Sequence, residues 1–315
     1  MTTSILIPTA PSEADDVLPF AALVAGTRAE RLWQGQTLGI EVHQAFAYAA
    51  GHGQRVPVGT SVTLAALRHP FEAALEARSL AAITGHGLVF GVGPGTGEFV
   101  GTLRGSAYAS PLTAMREYLT ILRDLLDGRE VDRAGRYHAM HGALVPLKHP
   151  PVALGLGVLR PAMARLAGEI ADVAITWLTP PEYVRDVLAP ALAEGAADRP
   201  RPRVATVVHA AVDRPGRDLC QVVLNATRNH LSAPHYVDML RRAGLRVHHT
   251  QPSVGARLLV RSGTFLHGTP EQIRDGIRRY RDAGVDEVII NTVGVGLTDG
   301  LSAAADDLAD VLADE

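Results

Sequence analysis

Leu88-Val89-Phe90-Gly91-Val92-Gly93-Pro94-Gly95-Thr96-Gly97-Glu98-Phe99 decides how the rest of this 315-residue chain is read. Its first six residues carry no charge, the pattern of a parallel strand buried on both faces. A Gly-Pro-Gly-Thr-Gly turn follows, where glycine allows backbone conformations and close approaches denied to other residues. One carboxylate, Glu98, comes next. Backbone amides in such a turn can face a flat or anionic ligand. The same letters also fit a strand that ends in a solvated turn, because short glycine motifs recur by chance.

Outward from this stretch, the chain alternates. Apolar runs at 4–8, 31–36, 56–64, 88–93, 152–157, 172–177, 203–212 and 285–291 read as eight strands. Between them lie helical spacings at 15–26, 41–50, 71–84, 111–127, 162–168, 219–230, 234–243 and 270–284, with a last helix at 301–312. Strand–helix alternation argues for parallel strands with crossover helices, and eight such units predict an α/β fold of the (β/α)8 class. Insertions are expected after strands 4 and 7. Residues 131–141 suggest a hairpin, and about 232–262 suggests an irregular insertion within one domain spanning 1–315. The helix at 71–84 is expected to present Phe71, Ala74, Leu75, Arg78 and Ala82 on one face.

Composition narrows the function. Net charge is −3 and the basic residues are scattered, so no nucleic-acid footprint is expected. No run reaches the roughly 18 uncharged apolar residues of a membrane span, and the start lacks a signal-peptide pattern. Cys220 is the one cysteine, which fits a reducing, cytoplasmic setting. Its surroundings read as a helix interior, so it is expected to pack rather than react. His138 and His141, and the adjacent His248-His249, lack metal-ligand spacing, and no metal site is expected.

Several residues stand where chemistry could occur. Glu41 and His43 lie near a helix start after the second strand, and His43 could donate a proton. Gly155 and Gly157 end a strand ahead of Arg160 and a helix start, a combination that can cradle an anion. Thr179 precedes two prolines and reads as a helix cap. Trp33 reads as core or a pocket wall, and His209 as a hydrogen-bonded core residue.

Taken together, Arg55–Thr63, Arg68-His69-Pro70, Phe90–Gly95, Arg116-Glu117-Tyr118 through Gly128, Pro150–Gly155 and Gly268–Glu271 resemble the bacterial luciferase-like monooxygenase superfamily, especially its coenzyme F420-dependent oxidoreductases. The segments follow family order over most of the chain and weaken at roughly 215–262. The resemblance implies a TIM barrel holding a flavin-type ring. It implies a cis peptide at Ser61-Val62 behind that ring, with Gly93 and Gly95 beside it. It places the cofactor phosphate around Gly155, Gly157 and Arg160 and around Trp177 and Thr179. Gly95-Thr96-Gly97-Glu98 resembles a turn of F420-dependent sugar-phosphate dehydrogenases whose Glu is an acid/base. The Asp-His pair of those enzymes is replaced here by Gln36-Thr37.

The expected activity is therefore a reductase. Reduced F420 would give hydride to a C=C or C=N bond of a natural product, such as a dehydroalanine-type residue in a peptide. Glu98, His43 or water would supply the proton. An FMN-dependent monooxygenase and a non-catalytic cofactor-binding barrel are the alternatives. The partners implied are a small molecule or peptide, with neither nucleic acid nor membrane. A second copy of the chain could dock on the helix at 71–84.

Overall fold

A computed structural model describes residues 2–313. Eight parallel strands alternate with helices in chain order: β1 (Thr2–Leu6), β2 (Leu32–Gln34), β3 (Val58–Thr60, resuming at Thr63–Leu64), β4 (Leu88–Gly93), β5 (Val152–Gly157), β6 (Val173–Trp177), β7 (Arg203–Val212) and β8 (Glu287–Asn291). This is the (β/α)8 class, with every expected strand present.

The chain divides into two compact units. One comprises the residues up to Trp33, Thr176–Pro190 and those from Arg203 onward. In it β7 pairs with β8, β8 with β1, and β1 with β2, all parallel. The other comprises Gln34–Ile175 and Ala191–Pro202. In it β3 pairs with β4, and β4 with β5. Apolar runs make these strands because both faces are covered: all six residues of β4 are buried, as are Glu287–Asn291 of β8.

After β4, helices Gly97–Arg104 and Pro111–Leu126 precede an antiparallel hairpin, Val131–Ala134 with Ala139–Gly142. After β7, the stretch expected to be irregular is mostly helical. Helix Leu219–Ser232 is followed by Pro234–Arg242 and Pro252–Arg261, leaving 243–251 outside helix. Pro234 and Pro252 stand at first helical positions, where a missing N–H costs nothing, so they start helices rather than break them. An additional strand, Phe265–Gly268, then pairs with the end of β7. It was not legible as a strand.

Two further expectations are corrected. The buried face of helix Pro70–Thr84 runs through Ala73, Ala74, Ala77, Leu80 and Ala81. Leu75 and Ala82 are instead exposed. Small alanines make up most of this face, and Ala74 and Arg78 are buried on it as expected. Cys220 is exposed and lies in the first turn of its helix, not in a packed interior.

Candidate functional site

In the 34–175 unit, glycines of β4 and β5 make room for the third strand. β3 breaks after Thr60, and the Ser61-Val62 peptide is cis. A Cβ at Gly91 would sit 2.0 Å from the Thr60 carbonyl oxygen. That contact is tight because Gly91 exchanges two bonds with Thr60 Oγ1, which accepts from Gly91 N at 2.8 Å and donates to Gly91 O at 2.9 Å. A Cβ at Gly93 would come within 2.7 Å of Val62 Cγ2, and one at Gly157 within 3.4 Å of both Val62 methyls. A Cβ at Gly155 would come within 2.7 Å of Ile175 Cδ1. The glycine pattern is thus first a packing device that seats Val62. Ser61 is buried, and its Oγ has no partner among the described residues.

Gly95 has φ +75, a left-handed turn that glycine accepts without strain. Thr96 then caps helix Gly97–Arg104, its Oγ1 accepting from Phe99 N at 3.2 Å. Glu98 lies in that helix's first turn and is exposed, where its charge complements the helix N-terminus. Arg160 stands at the N-cap position of helix Pro161–Ile170 and is exposed.

His43 has richer surroundings than its sequence position suggested. Glu41 caps helix Val42–Gly51 with one oxygen, which accepts from His43 N at 2.7 Å. Its other oxygen lies 2.9 Å from His43 Nδ1. Arg68 reaches the same carboxylate at 3.1 Å and Glu76 at 2.9 Å. It also meets Gln36 Oε1 at 3.4 Å, and Gln36 N donates to the Val62 carbonyl at 3.0 Å. The His43 ring stacks on Phe90 of β4, with centroids 5.3 Å apart. Its Nε2 is buried with no partner among the described residues.

Two carboxylates around one guanidinium differ in acidity. Burial opposes ionisation of Glu41, but the bond and charge of His43, the Gln44 N–H and Arg68 outweigh it and hold the carboxyl at about 2. Burial wins at Glu76, helped by Glu41 and Glu72, and its pKa is raised despite His43 and Arg68. This arrangement can orient an imidazole and hold a proton beside it. Sequence reading found His43 and noted Glu41. It missed Arg68 and Glu76 as partners, since they lie 27 residues or more from Glu41 and no local pattern links them.

The other unit places Trp177, Thr179 and His209. Leu178, between the first two, has φ +53, unusual for a residue with a side chain. Trp177 Nε1 donates to His209 Nε2 at 3.2 Å, and its ring stacks on His230 at 5.5 Å. Thr179 is not a helix cap. Pro180 holds that position, and Thr179 is fully buried, bonded to Thr176 Oγ1 and to the Trp177 carbonyl. His209 is a core residue, as expected. Trp33 is core, donating to Glu287 at 2.8 Å.

Comparison with known proteins places the chain. The luciferase-like monooxygenase family matches residues 4–287. The chain belongs to that family. It is similar to a 5,10-methylenetetrahydromethanopterin reductase of Methanolobus tindarius, 24% identical over 267 residues, covering 79% of this chain and 81% of that one. Among solved structures it resembles the coenzyme F420-dependent tetrahydromethanopterin reductase of Methanopyrus kandleri, with TM-score 0.75 and 20% identity, covering 99% of this chain and 97% of that one. It also resembles an F420-dependent secondary alcohol dehydrogenase in complex with an F420-acetone adduct (TM-score 0.72, 18% identity, 98% of each chain). A monooxygenase from Streptomyces bottropensis follows (TM-score 0.66, 16% identity, 98% of each chain). These likenesses show a shared fold. Among the described residues, no helix is long and apolar enough to cross a membrane.

Proposed function

We propose that this luciferase-like protein is a coenzyme F420-dependent oxidoreductase that reduces a C=C or C=N bond of a natural-product substrate. A dehydroalanine-type residue in a peptide is one such bond. The observation that carries the reading is His43, a buried imidazole with Nδ1 tied to a carboxylate and Nε2 without a partner among the described residues. A reduction needs a proton at the atom beside the one that accepts hydride, and an oriented imidazole suits that task. The F420-dependent enzymes among the similar proteins support the cofactor.

Bound in reduced form, F420 supplies hydride. The chain's own residues fit a flat ring with polar edges. Ser61 Oγ lies buried beside Val62 with no partner among the described residues, and Gly93 and Gly157 keep Val62 in place. Ser61, Val62, Gly93, Gly95, Gly155 and Gly157 would hold the ring, and Arg160 at a helix start would take a phosphate. Glu41 and Arg68 orient His43, and burial keeps water from its ring. Glu98 is the second candidate donor. It is exposed to solvent at the start of its helix. The exposed, single Cys220 goes with a cytoplasmic setting.

The test is direct. Purified protein is titrated with F420 and with FMN, and the fluorescence of each cofactor is followed. Binding of F420 with FMN at least about tenfold weaker, a gap of 1.4 kcal/mol, supports the proposal. Tight FMN binding without F420 binding replaces it with the monooxygenase reading, to which the Streptomyces bottropensis likeness points.

A further inference from the structure

His209 on β7 and Asn291 on β8 are paired residues of neighbouring parallel strands. Side chains at such positions point to the same face. Glu287 and Val207 share that face by the alternation of each strand, and Glu287 is sealed there by Ser4 and Trp33. Asn291 ends β8, so both residues stand toward the carboxyl ends of their strands, the end where barrel enzymes place their chemistry. His209 is 0% exposed and Asn291 1%.

Chemistry fixes what each presents. An indole N–H can only donate, and Trp177 Nε1 donates to His209 Nε2 at 3.2 Å. His209 therefore carries its proton on Nδ1. Burial, and then the nearby His230, holds the ring's pKa down at about 3, so it is neutral at ordinary pH. Asn291 Oδ1 accepts from Val293 N at 2.8 Å. That bond sets the amide's orientation and leaves Nδ2 as donor. Neither His209 Nδ1 nor Asn291 Nδ2 has a partner among the described residues. The rings packed on His209 are Trp177, His230 and Phe265, none of which offers a carboxylate. Two buried donors on one face without an acceptor among the described residues are costly, and a ligand oxygen that bonds them removes that cost.

We infer that His209 and Asn291 form a donor pair that binds one carbonyl or carboxylate oxygen of a ligand.

The test uses the full chain, free of cofactor, with 15N-labelled histidine. The Nδ1–H signal of His209 is assigned by its loss in His209→Gln, which keeps an acceptor for Trp177. N-acetyldehydroalanine methylamide is the carbonyl probe and acetate the carboxylate probe. A saturable shift of the His209 signal with either probe is expected, and whichever probe shifts it identifies the oxygen. Asn291→Asp keeps an acceptor for Val293 N but turns the donor into an acceptor for His209 itself. It is expected to melt no lower than the wild type and to bind that probe about tenfold or more weakly. No saturable shift with either probe, or equal affinity in Asn291→Asp, overturns the inference. If the carbonyl probe is reduced with F420 but shifts nothing, the pair fails and the reductase reading stands. If it shifts the signal and no reduction follows, the pair stands and that reading falls.

Discussion

His43 and His209 are both almost sealed from solvent, yet their surroundings are opposite. His43 sits among Glu41, Glu76 and Arg68, with a carboxylate oxygen 2.9 Å from Nδ1. His209 sits among Trp177, His230 and Phe265, and its ring accepts a bond from an indole. The first setting surrounds the ring with charged side chains. In the second, burial forbids a protonated ring, and the imidazole becomes a fixed neutral donor. On the two proposals made above, the same side chain would serve proton transfer in one unit and oxygen binding in the other, by environment alone.

The largest expected effect breaks the comparison if it fails. His43→Asn should slow reduction by about 10²–10⁴-fold, the usual share of a general acid. Glu98→Gln should change the rate only a few-fold. Stopped-flow oxidation of reduced F420 measures both, and equal losses would return the donor role to Glu98. Next comes Arg68→Met, which leaves two carboxylates facing each other with no guanidinium. Loss of one partner from a largely buried pair costs about 3–5 kcal/mol, and somewhat less here because both glutamates are partly exposed. The fall in melting temperature should shrink when Glu76→Gln is added.

Gly93→Ala forces a Cβ to within 2.7 Å of Val62 Cγ2. Overpacking of this kind costs about 1–3 kcal/mol, and denaturant unfolding should show it. The pH dependence is subtler. Glu41 is depressed to about 2 from 4.5, so its stabilising share is complete above pH 4.5 and is lost as pH falls through about 2. Glu41→Gln should flatten the stability curve over that window. Glu76 is raised, so ionising it opposes folding, and Glu76→Gln alone should hold or increase stability at neutral pH. Thr96→Ala should cost about 1 kcal/mol through its lost cap.

The eight strands were legible because each is an apolar run bounded by turn residues, and burial on both faces writes itself into composition. A capping box such as that of Thr269 and Gln272 is local in the same way, since its partners are three residues apart. Thr179 misled, because a threonine before prolines has the letters of a cap. The backbone at Leu178 turns it inward instead. Helix Pro252–Arg261 was hidden by its leading proline and by Gly255, which is glycine because Leu231 packs there, 2.9 Å from where a Cβ would be. Glu76 and Arg68 carried no local signal. Their meeting with His43 is a product of the fold.

Chemical rescue tests the role of His43 most directly. His43→Gly is mixed with reduced F420 and N-acetyldehydroalanine methylamide, with and without added imidazole, and single-turnover oxidation of F420 is followed. The expected result is a rate reduced at least about a hundredfold that rises saturably with imidazole. A rate equal to the wild type, or a loss that imidazole leaves untouched while the variant stays folded and binds F420 normally, would contradict the assignment of His43 as the proton donor.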